Sequence, residues 1–196
     1  TVNACFAGYV VQAIVNNFVP LLFLTFNKSY GIELSKITAL ITVNFILQLC
    51  IDLLSAFFID KIGYRAAAIM AHVFAAAGLV SLTVLPEILP SPFVGLLISV
   101  MLYAVGGGLL EVIVSPIVEA CPTDNKEKMM SLLHSFYCWG SVAVVGISTL
   151  YFSIFTTANW KYLALIWAVV PIVNALNFIR VPIAPLIEEG EKGLSF

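Results

Sequence analysis

Charge is what this chain has least of. Only 10% of its 196 residues are Asp, Glu, Lys or Arg, where a soluble domain carries about a quarter. So few charges do not solvate the surface of a free-standing globular domain. The formal net charge of −2 excludes the cationic footprint of a nucleic-acid binder. Cysteine is scarce as well. Cys5, Cys50, Cys121 and Cys138 lack the paired spacing of a metal site and read as buried free thiols in apolar surroundings. Catalytic signatures are missing: there is no H-E-x-x-H, no G-x-S-x-G and no P-loop. Gly140-Ser141 near His134 lacks the Gly-x-Ser-Gly turn of an intramembrane protease. An enzyme is not expected, nor is a cofactor or metal.

What the chain has in abundance is apolar length. Hydrophobic residues make up 61% of it, and the mean hydropathy is +1.05. Six runs stand out: Asn3–Phe26, Ile37–Ile59, Ala66–Leu85, Phe93–Ala120, Met129–Phe155 and Trp160–Val181. Each approaches or exceeds the roughly 20 residues that cross a bilayer as a helix. The runs are continuous rather than alternating, which points to helices and not to a barrel. The expected fold is an all-α membrane protein with a six-helix transmembrane domain over residues 1–181. A polar, acidic cytoplasmic tail or linker is expected over 182–196, with Glu188, Glu189 and Glu191.

Between the second and third runs lies Asp60-Lys61-Ile62-Gly63-Tyr64-Arg65. The segment is short enough only for a tight turn at the membrane surface. It resembles the D-R-x-G-R loop between helices two and three of the major facilitator superfamily, through Asp60, Gly63 and Arg65. Lys61 stands where that pattern has Arg. The resemblance implies a gate on the cytoplasmic side formed by Asp60, Lys61, Gly63 and Arg65. It also implies six helices arranged as a 3+3 inverted repeat, half of a twelve-helix transporter. A faint repeat is visible: Asn16-Asn17-Phe18-Val19-Pro20 and Val112-Ile113-Val114-Ser115-Pro116 each put Pro late in a span.

Orientation follows from Lys and Arg. With the Asp60–Arg65 loop inside, Lys61, Arg65, Lys126, Lys128, Arg180 and Lys192 are cytoplasmic, and Lys28, Lys36 and Lys161 are outside. That balance obeys the positive-inside rule and sets both chain ends in the cytoplasm of a multi-pass plasma or inner-membrane protein. Trp160 and Tyr162 are expected at the outer interface, where amphipathic rings are favoured.

A second resemblance concerns Gly106-Gly107-Gly108-Leu109-Leu110-Glu111, Ser115-Pro116 and Leu132-Leu133-His134-Ser135-Phe136-Tyr137-Cys138-Trp139-Gly140. It is to the fucose permease branch of the same superfamily, and it implies proton-coupled sugar uptake. That branch has an acidic residue where this chain has Asn16.

Two carboxylates fall inside the spans, Asp52 and Glu111. Each precedes a boundary carboxylate, Asp60 or Glu119, by two turns or a little more, which sets it roughly 12 Å inside the membrane. Ionised groups at that depth are costly and mark functional positions by default. They are expected to be the proton-coupling pair; the alternative is that each ties helices together. Helical spacing gathers Gln12 with Asn16, then Asn44 with Gln48 and Asp52, Glu111 with Ser115, and His134 with Tyr137 or Cys138. Gln12, Asn16, Asn44, Gln48, His134 and Tyr137 are expected to bind the substrate in a water-filled cavity. Interhelical hydrogen bonds, worth about 1 kcal/mol or less each, are the competing use of such residues. The third and sixth helices, with His72, Asn174 and Asn177, read as peripheral. The three consecutive glycines read as close packing, and Gly140 and Gly146 similarly.

These features lead to a secondary active transporter, a proton symporter for a sugar or similar small polar solute. Its partner is expected to be a carboxy-terminal six-helix half or a second copy. A six-helix scaffold or sensor, or a self-dimerising half without proton coupling, is the alternative.

Overall fold

The structure, a computed structural model, describes residues 1–183. The tail expected over 182–196 therefore lies almost wholly outside the described residues. The elements are α1 (Val2–Asn17), a 3-10 turn (Val19–Leu22), α2 (Phe23–Tyr30), α3 (Leu34–Ile62), α4 (Tyr64–Ile88), α5 (Pro92–Ala120), α6 (Lys126–Phe155), a second 3-10 turn (Thr157–Asn159) and α7 (Trp160–Arg180). Six stretches among the described residues are long and apolar enough to span a membrane. The first of them is not one helix. It breaks at Pro20, whose ring and missing N–H interrupt the ladder, and restarts as α2. Pro116 and Pro171 lie inside helices that continue.

α5 occupies the centre and packs against α4, α3 and α1, while α4 also packs on α7 and α1 on α6. The α1–α6 pair mirrors the α5–α3 pair. That correspondence fits two three-helix units related by a two-fold axis in the membrane plane. Contact between α4 and α5 is made by small residues. A Cβ on Gly106 would lie 2.5 Å from the Ala71 carbonyl oxygen, and one on Gly78 2.5 Å from the Tyr103 nitrogen. Ala67, Ala71 and Ala75 are fully buried in the same seam. Backbones approach closely here because nothing larger than a methyl intervenes. Gly146, by contrast, faces open space, so close packing applies to Gly140 but not to it.

The charged hairpin is shorter than its charges suggested. Asp60 and Lys61 belong to the last turn of α3, and Gly63 alone separates α3 from α4. Gly63 has φ +82°, and open space lies where a Cβ would be, so the turn geometry alone requires glycine. Arg65 folds across the end of α7, its Nη1 donating to the Phe178 and Ile179 carbonyls at 2.8 and 2.9 Å. A cation there satisfies carbonyls that the helix leaves unpaired and complements its dipole.

At the opposite end, Lys161 pairs with Glu87 at 2.6 Å, and the Tyr30 hydroxyl donates to the same carboxylate oxygen. This fastens α2, α4 and α7 together. Trp160 is buried edge-on against Phe26, while Tyr162 is exposed. The first residues return to the last described ones, with the Thr1 hydroxyl donating to the Pro182 carbonyl. Both ends of the described chain are therefore on one side of the bundle.

Candidate functional site

A cavity of about 550 Å³ opens between four helices. α1 contributes Tyr9, Gln12 and Asn16. α3 contributes Phe45, Gln48, Leu49 and Asp52; α5 contributes Glu111; α6 contributes His134, Tyr137 and Cys138. α4 and α7 supply no lining residue, as their sparse polar content suggested, although both are well packed in the bundle.

Of the eight residues singled out for coupling and binding, seven line this cavity and Asn44 does not. Asn44 is as buried as Gln48 and bonds to its neighbours. Its Nδ2 donates to Asn16 Oδ1 at 3.2 Å, and its Oδ1 accepts from Gln48 Nε2 at 2.9 Å. Gln48 Nε2 also donates to Asn16 Oδ1 at 2.8 Å, and Asn16 Nδ2 donates to the Tyr137 hydroxyl at 3.3 Å. Asn16 thus joins α1 to α3 and α6 while showing an edge to the cavity. A neutral amide suits this junction, since it must accept on one side and donate on the other.

Asp52 and Glu111 line the same space. Gln12 Nε2 donates to Glu111 Oε2 at 3.1 Å. Glu111 is exposed to the open side of the cavity, whereas Asp52 is half-buried. Two side-chain acceptors, Gln12 Oε1 and Asp52 Oδ1, are buried with no hydrogen-bond partner. Among the described residues no Lys or Arg lines the cavity, so none of them gives the two carboxylates a fixed counter-ion there. Among the described residues the only ion pair is Lys161–Glu87, at the far end of the bundle.

Tyr9 is the polar lining residue that sequence reasoning passed over. Its hydroxyl meets Ser115 Oγ at 3.0 Å, and its ring lies 5.6 Å from His134 and 6.3 Å from Tyr137. Tyr9, Gln12 and Asn16 follow one another at helical spacings of three and four, so the stripe on α1 was readable one turn further back. Phe45 and Leu49 carried no such signal, because apolar residues on a membrane helix face lipid as readily as a cavity. The cysteines divide in two: Cys5 and Cys121 are buried, Cys50 and Cys138 are exposed. The expectation of uniformly buried thiols fails for this second pair, and Cys138 belongs to the cavity wall. His72 lies outside the site. It is fully buried, with Nε2 2.7 Å from Asn174 Nδ2 and Nδ1 2.7 Å from the Ala68 carbonyl.

A bundle of membrane-length helices with a cavity that has protonatable groups in its wall defines a polytopic membrane protein of transporter type. The chain belongs to the major facilitator superfamily, whose family model matches residues 4–193. Its fold is similar to that of the inward-open xylose transporter XylE from E. coli. The TM-score is 0.82 at 15% identity, over 94% of this chain and 48% of that one. A second structure, of a D-xylose-proton symporter, gives 0.81 at 15% identity over the same shares. A POT family transporter in complex with a thioalcohol-conjugated peptide gives 0.67 at 22% identity, over 93% and 38%. At these identities the likeness establishes the fold. The chain spans about half the length of the sugar transporters it resembles. No curated protein sequence matches it.

Proposed function

We propose that this chain is the amino-terminal six-helix half of a proton-coupled symporter for a sugar or similar small polar solute, and that it is not an enzyme. The observation that carries the reading is the meeting of Asp52 and Glu111, from different helices, in one cavity that no Lys or Arg among the described residues lines. Carboxylates without a counter-ion inside a bilayer exchange protons more readily than they hold charge. Gln12, Asn16, Gln48, His134 and Tyr137 offer donors and acceptors of the kind that hydroxyl-rich solutes need. The sugar transport named for the similar xylose symporters agrees with this chemistry.

In this reading residues 1–181 form the transmembrane unit and 182–196 begin a cytoplasmic linker. Both ends are cytoplasmic in a plasma or inner membrane. The second half, or a second copy, covers the apolar faces of α3 and α6, where Leu53, Phe57 and Trp139 are exposed. Asp60, Lys61, Gly63 and Arg65 form the gate. Arg65 steadies the gate from within through the α7 carbonyls, and Asp60 and Lys61, which are exposed, face the partner half.

The test is uptake into vesicles holding the reconstituted transporter, with a panel of pentoses and hexoses, with and without an inward proton gradient. Accumulation above equilibrium only with the gradient is expected. Gradient-independent equilibration would remove proton coupling from the reading.

A further inference from the structure

The wall of the cavity is not evenly matched, and the mismatch centres on one side chain. Gln12 is only 5% exposed. Its Nε2 donates to Glu111 Oε2, and its Oε1 is buried without a partner. A carboxamide carries its donor and its acceptor on opposite arms of one plane. Which arm faces Glu111 is decided by what Glu111 offers. An ionised carboxylate only accepts, so it draws Nε2 toward α5 and strands Oε1. A carboxyl protonated on Oε2, the oxygen that faces Gln12, presents an O–H there, and that hydrogen needs an acceptor. The same amide meets it after a half-turn, which brings Oε1 to Glu111. The turned state uses the atom that the first state leaves unpaired, and it aims Nε2 away from α5.

We propose that Gln12 is a two-position reader of Glu111. It turns its amide over when Glu111 gains a proton, so that Oε1 accepts from the carboxyl O–H and Nε2 takes the buried place that Oε1 leaves. The proposal rests on Glu111 being the proton site. The proton enters from cavity water onto Glu111 Oε2; no other bond is made or broken. The titratable groups facing this point are Tyr9 on α1, Asp52 on α3, and His134, Tyr137 and Cys138 on α6. Asp52, with its own unpartnered oxygen, is the one most able to compete for the proton. Gln12 acts here as a positioning residue for Glu111.

The test is infrared difference spectroscopy against pH, on protein in lipid vesicles with isotope-labelled glutamine side chains. Gln12→Met, or Gln12→Asn if the first variant fails to fold, identifies the Gln12 amide band, and Glu111→Gln identifies the carboxyl band. The expected result is a Gln12 amide shift with the same midpoint as the Glu111 carboxyl. It should be lost in Glu111→Gln and retained in Asp52→Asn. Replacement of Gln12 should also move the Glu111 midpoint. A Glu111 band that titrates while the Gln12 band stands still overturns the inference, as does a Gln12 shift that follows Asp52 instead. A Glu111 band that never titrates overturns the reading of Glu111 as the proton site, and this inference with it.

Discussion

Two polar clusters sit in this bundle, and they are built on opposite principles. Around His72 everything is closed. The ring is fully buried, Nδ1–H donates to the Ala68 carbonyl, and Nε2 accepts from Asn174, which also donates to the Ala4 carbonyl at 2.9 Å. That cluster pins α4, α7 and α1 and has every buried side-chain donor and acceptor matched. Around Gln12 the wall is open to a cavity, and two acceptors have no partner. A matched cluster in a dry bundle is a fastener. Unmatched acceptors beside a cavity leave free energy available to a bound proton or solute, because an unpaired buried polar atom costs about 1–3 kcal/mol. Burial and polarity alone do not tell the two clusters apart; hydrogen-bond completeness does.

The comparison is tested most severely at Glu111. Glu111→Gln imitates the protonated form and should abolish accumulation against a gradient while leaving exchange of internal for external solute intact. Asp52→Asn should give a weaker version of the same defect. Normal accumulation in Glu111→Gln, measured by uptake in energised vesicles, would remove the functional meaning of the open cluster.

The next largest effect belongs to the closed side. Gly106→Leu forces a side chain into the Ala71 backbone and should cost about 1–3 kcal/mol or more through overpacking. Thermal unfolding in detergent reads the loss as a lowered midpoint. A midpoint that does not move would mean that α4 and α5 separate without penalty.

His72→Leu sharpens the contrast directly. It strands the Asn174 amide and should lower stability by about 1–3 kcal/mol, with the pH dependence of uptake unchanged. A shifted pH profile with unchanged stability would make His72 a working group and erase the division between the clusters.

The smallest effect is chemical labelling. Cys138, exposed in the cavity wall, should react with hydrophilic thiol reagents well before buried Cys5 and Cys121. On a background without native cysteines, Cys at position 48 should be labelled and protected by bound solute. Cys at position 44 should be silent, because Asn44 does not line the cavity. Mass spectrometry of labelled peptides distinguishes these outcomes; equal labelling at 44 and 48 would put Asn44 back in the cavity.

Much of this was legible in one dimension. A bilayer demands long, uninterrupted apolar helices, because no water is present to satisfy free backbone groups. The six runs therefore announced six spans to within a few residues. Charge in a span is rare for the same reason, so Asp52 and Glu111 were visible at once. The polar stripes were legible because helical spacing sets residues three and four apart on one face. What the stripes did not carry was their neighbour. Asn44 and Gln48 share a face of α3, yet Gln48 lines the cavity and Asn44 does not. Trp160 carried the mark of an interfacial anchor, and its packing against Phe26 of α2 was not readable from the sequence.

The apolar length of the runs, the glycine turn at Gly63 and the depth of the two carboxylates were properties of the sequence by itself, because each follows from local geometry and the solvent. The meeting of Gln12 with Glu111, the confinement of Asn44, and the closure of His72 on Asn174 were decided only in three dimensions. These pairs lie far apart in the chain. They meet because small residues let α4 and α5 approach closely and so set where every other helix can rest.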